Sequence, residues 1–176
     1  MTLYDIAKLF KEQLLDKSYL IKTTSRQIHI KTFPKHFLHL TGMQRCIDIK
    51  VKSSEKFFYD CMHNEYSKQL KEYNYKNKSD KNMVDMKTRN FALIENSIKN
   101  AELLYILDDD NTANAVSVAF KAGRSDKYLT IVFKLEKGKD YFIPASIQID
   151  KSYEYSIVKT AIKSEKILSV ECINNK

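Results

Sequence analysis

Residues 128–149 read YLTIVFKLEKGKDYFIPASIQI, and this stretch decides the fold. Leu129, Ile131, Phe133 and Leu135 alternate with Tyr128, Thr130, Val132 and Lys134, a period of two that puts the two sets on opposite faces of a strand. Glu136-Lys137-Gly138-Lys139 then supplies turn residues, and alternation resumes with Tyr141, Ile143, Ala145 and Ile147 against Phe142, Pro144, Ser146 and Gln148. The pattern predicts an antiparallel pair, 128–135 and 139–149. Pro144 has no N–H to give a ladder, so it calls for an edge position or a bulge, a device that re-aims side chains. Lys134 and Ser146 are then expected either to line a shallow concavity or simply to face solvent.

Outward from this hairpin, 115–121 and 166–173 also alternate like strands, with a further turn at Gly123-Arg124-Ser125-Asp126. Residues 153–164 fit a short helix or a strand. Toward the N-terminus, Leu3, Ile6, Ala7, Phe10 and Leu14 recur at helical spacing and predict an amphipathic helix over 2–15. Strands follow at 19–24 and 27–33, joined at Ser25-Arg26. Helical stripes return at 54–70 (Phe58, Cys61, Met62, Leu70) and from Phe91 to Tyr105. Asp108-Asp109-Asp110-Asn111 ends the latter; it lacks the glycine and distal glutamate of a calcium loop and reads as a solvated turn. The sum is one α+β domain over residues 1–176, with N-terminal helices, a curved, mainly antiparallel C-terminal β-sheet and a basic loop at about 71–89.

With 176 residues, 43% of them hydrophobic, the chain can build one substantial core. A formal charge of +8 favours an anionic partner, nucleic acid first among them. Only Arg26, Arg45, Arg89 and Arg124 of the thirty basic residues are arginines, so lysine point charges dominate over bidentate forks. Between Lys68 and Arg89, seven basic residues (Lys76 and Lys78 among them) stand against three acidic ones, with Tyr73 and Tyr75 interleaved. Such a loop lies along a phosphate backbone and stacks a base, or is an ordinary solvated linker. Cys46, Cys61 and Cys172 form no CxxC pair, and Cys61 falls on an apolar stripe near His63 without a tetrahedral set. No metal, cofactor or membrane span is expected, and a reducing, cytosolic setting is the expected location.

Phe33-Pro34-Lys35-His36-Phe37-Leu38-His39-Leu40-Thr41-Gly42 carries the chemistry: two of the four histidines, a hydroxyl and a permissive glycine within ten positions. Histidine is the side chain whose ordinary pKa lies near neutrality, so the pair can move protons or contact phosphate without a metal. Pro34 opens and Gly42 closes a short helical turn that holds His36 and His39 three apart on one side. The same apolar residues also serve to bury a short helix against a sheet.

The helix–strand–strand opening, the phrase Phe37-Leu38-His39-Leu40-Thr41-Gly42 and the late strand Tyr141-Phe142-Ile143-Pro144-Ala145-Ser146 resemble a phage-associated family grouped with barnase, EndoU, colicin and RelE-type nucleases. The resemblance implies a helical portion before a curved antiparallel sheet on whose face RNA is cut without a metal. It implies a metal-independent endoribonuclease of phage or mobile-element origin, in which a ribose 2′-hydroxyl attacks the adjacent phosphate. His39 would transfer a proton, His36 or Lys134 would take the complementary proton or phosphate role, and Thr41 and Ser146 would orient. Arg124 would bind phosphate, with Lys121, Lys76, Lys78 and Arg89 as further RNA contacts. The order of acid and base stays open. No glutamate–arginine–histidine trio stands at recognisable positions, which keeps a second function in view: a non-catalytic RNA-binding or nucleic-acid-mimicking inhibitor of a host defence complex, of anti-CRISPR type. The implied partners are RNA, a guide or transfer RNA among the candidates, and a host effector protein.

Overall fold

The structure, a computed structural model, describes residues 1–107, 115–121, 128–150 and 157–175. The expected helical N-terminal region and curved, largely antiparallel sheet are both present, and the sheet closes on itself. Its strands are β1 (Lys17–Thr23), β2 (Gln27–Ile30), β3 (Leu103–Leu107), β4 (Ala115–Lys121), β5 (Tyr128–Leu135), β6 (Phe142–Asp150) and β7 (Ala161–Asn174). They run in the order β1-β2-β6-β5-β4-β3-β7, and β7 returns to β1. Every junction is antiparallel except β2 to β6, a single parallel pair between Ile30 and Phe142. Beyond that pair, the second edge of β6 meets no strand among the described residues.

Five α-helices accompany this sheet among the described residues: α1 (Leu3–Phe10), α2 (Phe37–Thr41), α3 (Ser54–Met62), α4 (Lys78–Arg89) and α5 (Ile94–Lys99). In α1 the buried Leu3, Ile6, Ala7 and Phe10 form the expected stripe, and Thr2 and Asp5 cap each other: the Asp5 N–H donates to Thr2 Oγ1 at 3.2 Å and the Thr2 N–H to Asp5 Oδ2 at 2.7 Å. A wider turn carries the helix on through Lys11–Leu15. Phe10, Phe37 and Phe58 meet with ring centroids 5.2–5.6 Å apart, fusing α1, α2 and α3 into an aromatic knot. The same continuous core takes in Leu104, Leu129, Ile131, Phe133 and Ile147 from the sheet.

Several sequence expectations need correction. The basic stretch is not a loop: after a single turn at Leu70–Glu72 it forms α4. The helix from residue 54 stops at Met62, and Asn64 takes a left-handed backbone, φ 60°. The helix from Phe91 gives way after Lys99, because Leu103–Leu107 is a continuous apolar run that pairs with β4 and β7 instead. On β5, Leu129, Ile131 and Phe133 are buried together as expected, but so are Thr130 and Val132 on the opposite face, where Val132 packs with Leu107, Ala145 and Ala161. The turns at Asp108–Asn111 and Gly123–Asp126, and the part of the 153–164 segment before residue 157, lie outside the described residues.

Two local devices shape the sheet where it meets its neighbours. Opposite β5, Ser146 pairs with Val132 and Pro144 with Phe133, so Ala145 is the extra residue of a bulge. Pro144, unable to donate, sits at the break. At the other end of the sheet, Glu165 of β7 accepts from the Thr23 hydroxyl at 2.6 Å and is flanked by Arg26 at 3.0 Å and Lys163 at 3.1 Å, which ties the β1–β2 tip to β7. These partners, led by Thr23, hold its carboxyl far down, at about 2.

Gly42 ends α2 with φ 76°, a conformation only glycine adopts without strain. A Cβ there would lie 3.4 Å from Val84 Cγ2 and 3.5 Å from Lys87 Cδ. Gly42→Ala is therefore expected to cost about 1–2 kcal/mol, read as a lower urea midpoint with unchanged slope.

Candidate active site

The free edge of β6 is where α2 and α4 lie, and the site forms in the resulting groove. Phe33 enters the turn in extended conformation and its N–H donates to His36 Nδ1 at 3.1 Å; Pro34 opens the turn at Pro34–His36, and α2 continues from it. The sequence thus places His36 just before α2 and His39 one turn along it, as their spacing predicts. His39 stands between two cavities and lines both. The first, of about 400 Å³, is also lined by Lys35, His36, Ser54, Lys134, Glu136, Ile143, Pro144 and Ala145. The second, of about 390 Å³, is lined by Gln44, Arg45, Met83, Met86, Lys87 and β6 residues 146–149, Ser146 and Gln148 among them.

The two histidines differ electrostatically. His36 is buried, and its pKa is pushed down to about 4, first by desolvation, then by Lys35, with Glu136 pulling the other way. It is neutral at pH 7. Because Nδ1 accepts from Phe33, the ring proton is assigned to Nε2, a buried atom with no hydrogen-bond partner. His39 is open to solvent and lies 3.3 Å from the Gln44 side-chain amide through Nδ1. Its pKa is also lowered, by desolvation and then by Lys87, against a backbone hydrogen bond with Ala145 at the bulge.

Lys87 is the residue that sequence reading missed. It is 6% exposed, on the inner face of α4, and no carboxylate pairs with it among the described residues. Burial, then the Arg45 guanidinium, lowers its pKa, so the ammonium is a readier proton donor than an ordinary lysine. Arg45 is held by Asp80 at 2.5 Å, and Lys35 by Glu136 at 3.1 Å. Lys134 stands exposed across the first cavity. The two cavities, which share His39, therefore bring together a carboxylate, two imidazoles, an arginine and three lysines.

The remaining sequence candidates separate. His36, His39 and Lys134 come together in one cavity, while Ser146 joins His39 in the other. Thr41 is fully buried and its hydroxyl donates to the Phe37 and Leu38 carbonyls, at 2.9 and 3.1 Å, so it lines neither cavity. Lys76 and Lys78, before and at the start of α4, are exposed and also line neither. Arg89, 4.0 Å from Asp85, lines a separate hollow with Lys71 and Lys81. The Lys121 side chain and Arg124 lie outside the described residues. Among the described residues, no three of His, Cys, Asp or Glu gather as a metal-ligating group, and no helix is long and apolar enough to cross a membrane.

Comparison with known proteins yields one match. Residues 2–171 match the family described as phage-Barnase-EndoU-ColicinE5/D-RelE like nuclease4 (PBECR4). Searches of curated proteins and of solved structures return no significant match.

Proposed function

Since the chain belongs to the phage-Barnase-EndoU-ColicinE5/D-RelE like nuclease4 family, we propose that it is an endoribonuclease cutting RNA by internal attack of a 2′-hydroxyl. The observation that carries the reading is His39, lowered in pKa and flanked in one groove by Lys134 on one side and Lys87 with Arg45 on the other. Neutral His39 takes the proton of the 2′-hydroxyl. The oxygen attacks phosphorus, and the bond to the 5′-oxygen breaks. Lys134 and Arg45 stabilise the charge that develops on the equatorial oxygens. Lys87, acidified by burial, gives the leaving oxygen its proton. The products are a 2′,3′-cyclic phosphate and a 5′-hydroxyl.

This assignment changes the expectation for His36. A ring that is neutral at pH 7, committed through Nδ1 and buried at Nε2 holds the turn that leads into α2 and is not the exchanging acid. It gives Thr41 a supporting part, through the end of α2, and leaves Ser146 and Gln148 to contact the strand leaving the groove.

The test is incubation of end-labelled structured RNAs, including transfer RNA and a guide RNA alone and within its effector complex, in EDTA. Discrete fragments with cyclic phosphate ends support the reading. RNA that is bound but uncut, with magnesium also tried, would favour a binding inhibitor of a host complex. The pH profile adds a second check. A base must be deprotonated to act, so the rate climbs as His39 loses its proton, and the midpoint of that limb falls below pH 6.5, the ordinary histidine value. An acid must be protonated, so the rate falls again as Lys87 titrates, below the usual 10.5. Initial rates across pH 4–10 in roughly constant ionic strength should trace that bell.

A further inference from the structure

Beside the groove lies a cleft whose chemistry a phosphate does not need. It holds about 250 Å³ and is lined by Phe33, Pro34, Lys35, Glu55 and Tyr141. Lys35 also lines the cavity containing His36, His39 and Lys134, so the two spaces adjoin. The Phe33 and Tyr141 rings, both partly exposed, stand 5.8 Å apart and inclined at 50°. Each has an ammonium beside it: Lys31 is 5.0 Å from the Tyr141 ring centre and Lys35 is 5.8 Å from that of Phe33. Glu55, exposed in the first turn of α3, has no ion-pair partner among the described residues although this cleft is otherwise cationic.

We propose that this cleft is the nucleobase subsite and that it selects guanine, an inference that rests on the RNA-cleaving reading of the adjoining groove. Partly open aromatic rings offer a stacking surface to a base. Lysines beside them meet the phosphates that flank it. The carboxylate sets the choice. Two carboxylate oxygens accept two parallel N–H groups, and guanine alone of the four bases presents two side by side, at N1 and the exocyclic N2. Adenine and cytosine offer an amino group next to a ring nitrogen lone pair, which the second oxygen repels. Uracil offers one N–H between two carbonyls, each repelled in turn.

Fluorescence anisotropy with labelled pentanucleotides tests this, with 2′-O-methyl ribose throughout so that no nucleophile is available, uracil at four positions, and each base in turn at the centre. In low salt the guanine pentamer should bind at least about tenfold more tightly than the other three. Glu55→Gln should bring all four within about twofold, because a neutral amide loses the second acceptor. Tyr141→Ala, and independently Phe33→Leu, should weaken the guanine pentamer by about tenfold, each variant first shown folded by its thermal melt. Equal affinity for the four bases, a guanine preference that survives Glu55→Gln, or no binding by any pentamer would overturn the proposal. The same sequences with free 2′-hydroxyls decide the parent reading separately. Cutting without base preference removes the guanine subsite alone, and preference without cutting removes the nuclease alone.

Discussion

His39→Ala should lower the cleavage rate roughly 10²- to 10⁴-fold, the loss typical when a positioned proton acceptor is removed, while RNA affinity stays close to that of the unaltered protein. The asymmetry follows from where His39 sits. It is exposed on α2, its ring interacts with Gln44 and the Ala145 backbone, and desolvation, then Lys87, lowers its pKa and disfavours the charged form. Lys35, Lys134, Arg45 and Lys87, the cations lining the two cavities, are untouched by its loss. An exposed truncation of this kind shifts stability by no more than about 0.5 kcal/mol, so the effect cannot be attributed to unfolding. Single-turnover cleavage and filter binding on the same RNA separate the two quantities. A variant that still cuts at near-normal rate would remove His39 from the chemistry and leave Lys87 as the group to examine.

Phe37→Ala is expected to cost about 3–5 kcal/mol, a large part of the 5–15 kcal/mol typical of a folded domain. Phe37 is fully buried and meets Phe10, Phe57 and Phe58 with centroids 5.2–5.7 Å away, so no neighbour is free to fill the space it leaves. It also lies between His36 and His39 in the chain and anchors the face of α2 opposite the groove. Urea denaturation reads the loss. The rate per folded molecule should fall as well, since α2 loses its footing. Ile94→Ala provides the comparison: Ile94 is equally buried but lies on α5, which lines neither cavity, so stability should drop with the rate per folded molecule preserved.

How much could be read from the chain alone depends on how local each signal is. The strands 115–121 and 128–135 were legible because alternation is a property of consecutive residues, and β4 and β5 keep those bounds. The turn from Pro34 to Gly42 was legible for the same reason, as a proline and a glycine bracket it. The bulge at Ala145 was foreshadowed by Pro144. Lys87 and Arg45 left no such trace. α4 buries Asp80, Val84, Lys87 and Thr88, of which only Val84 is apolar, so there is no stripe to mark it as a helix and its lysines read as a solvated loop. The worth of Lys87 comes from Gly42 and Arg45, about forty residues away in sequence. Thr41 misled for the opposite reason: a hydroxyl beside two histidines resembles a site residue, and only the carbonyls of its own helix reveal that it is spent.

The last strand gives the ring a consequence in time. β1 completes its pairing with β7, as between Lys22 and Glu171, 149 positions on. Contacts this distant form late, because a long loop must close before they repay its entropy. On a ribosome, a chain stalled before Ala161 has made both histidines, Lys87 and Lys134 but not the strand that joins the N-terminal hairpin to β3. The ring therefore closes only once the codons of β7 have been read, so the frame around the groove is the last part of the molecule to be completed.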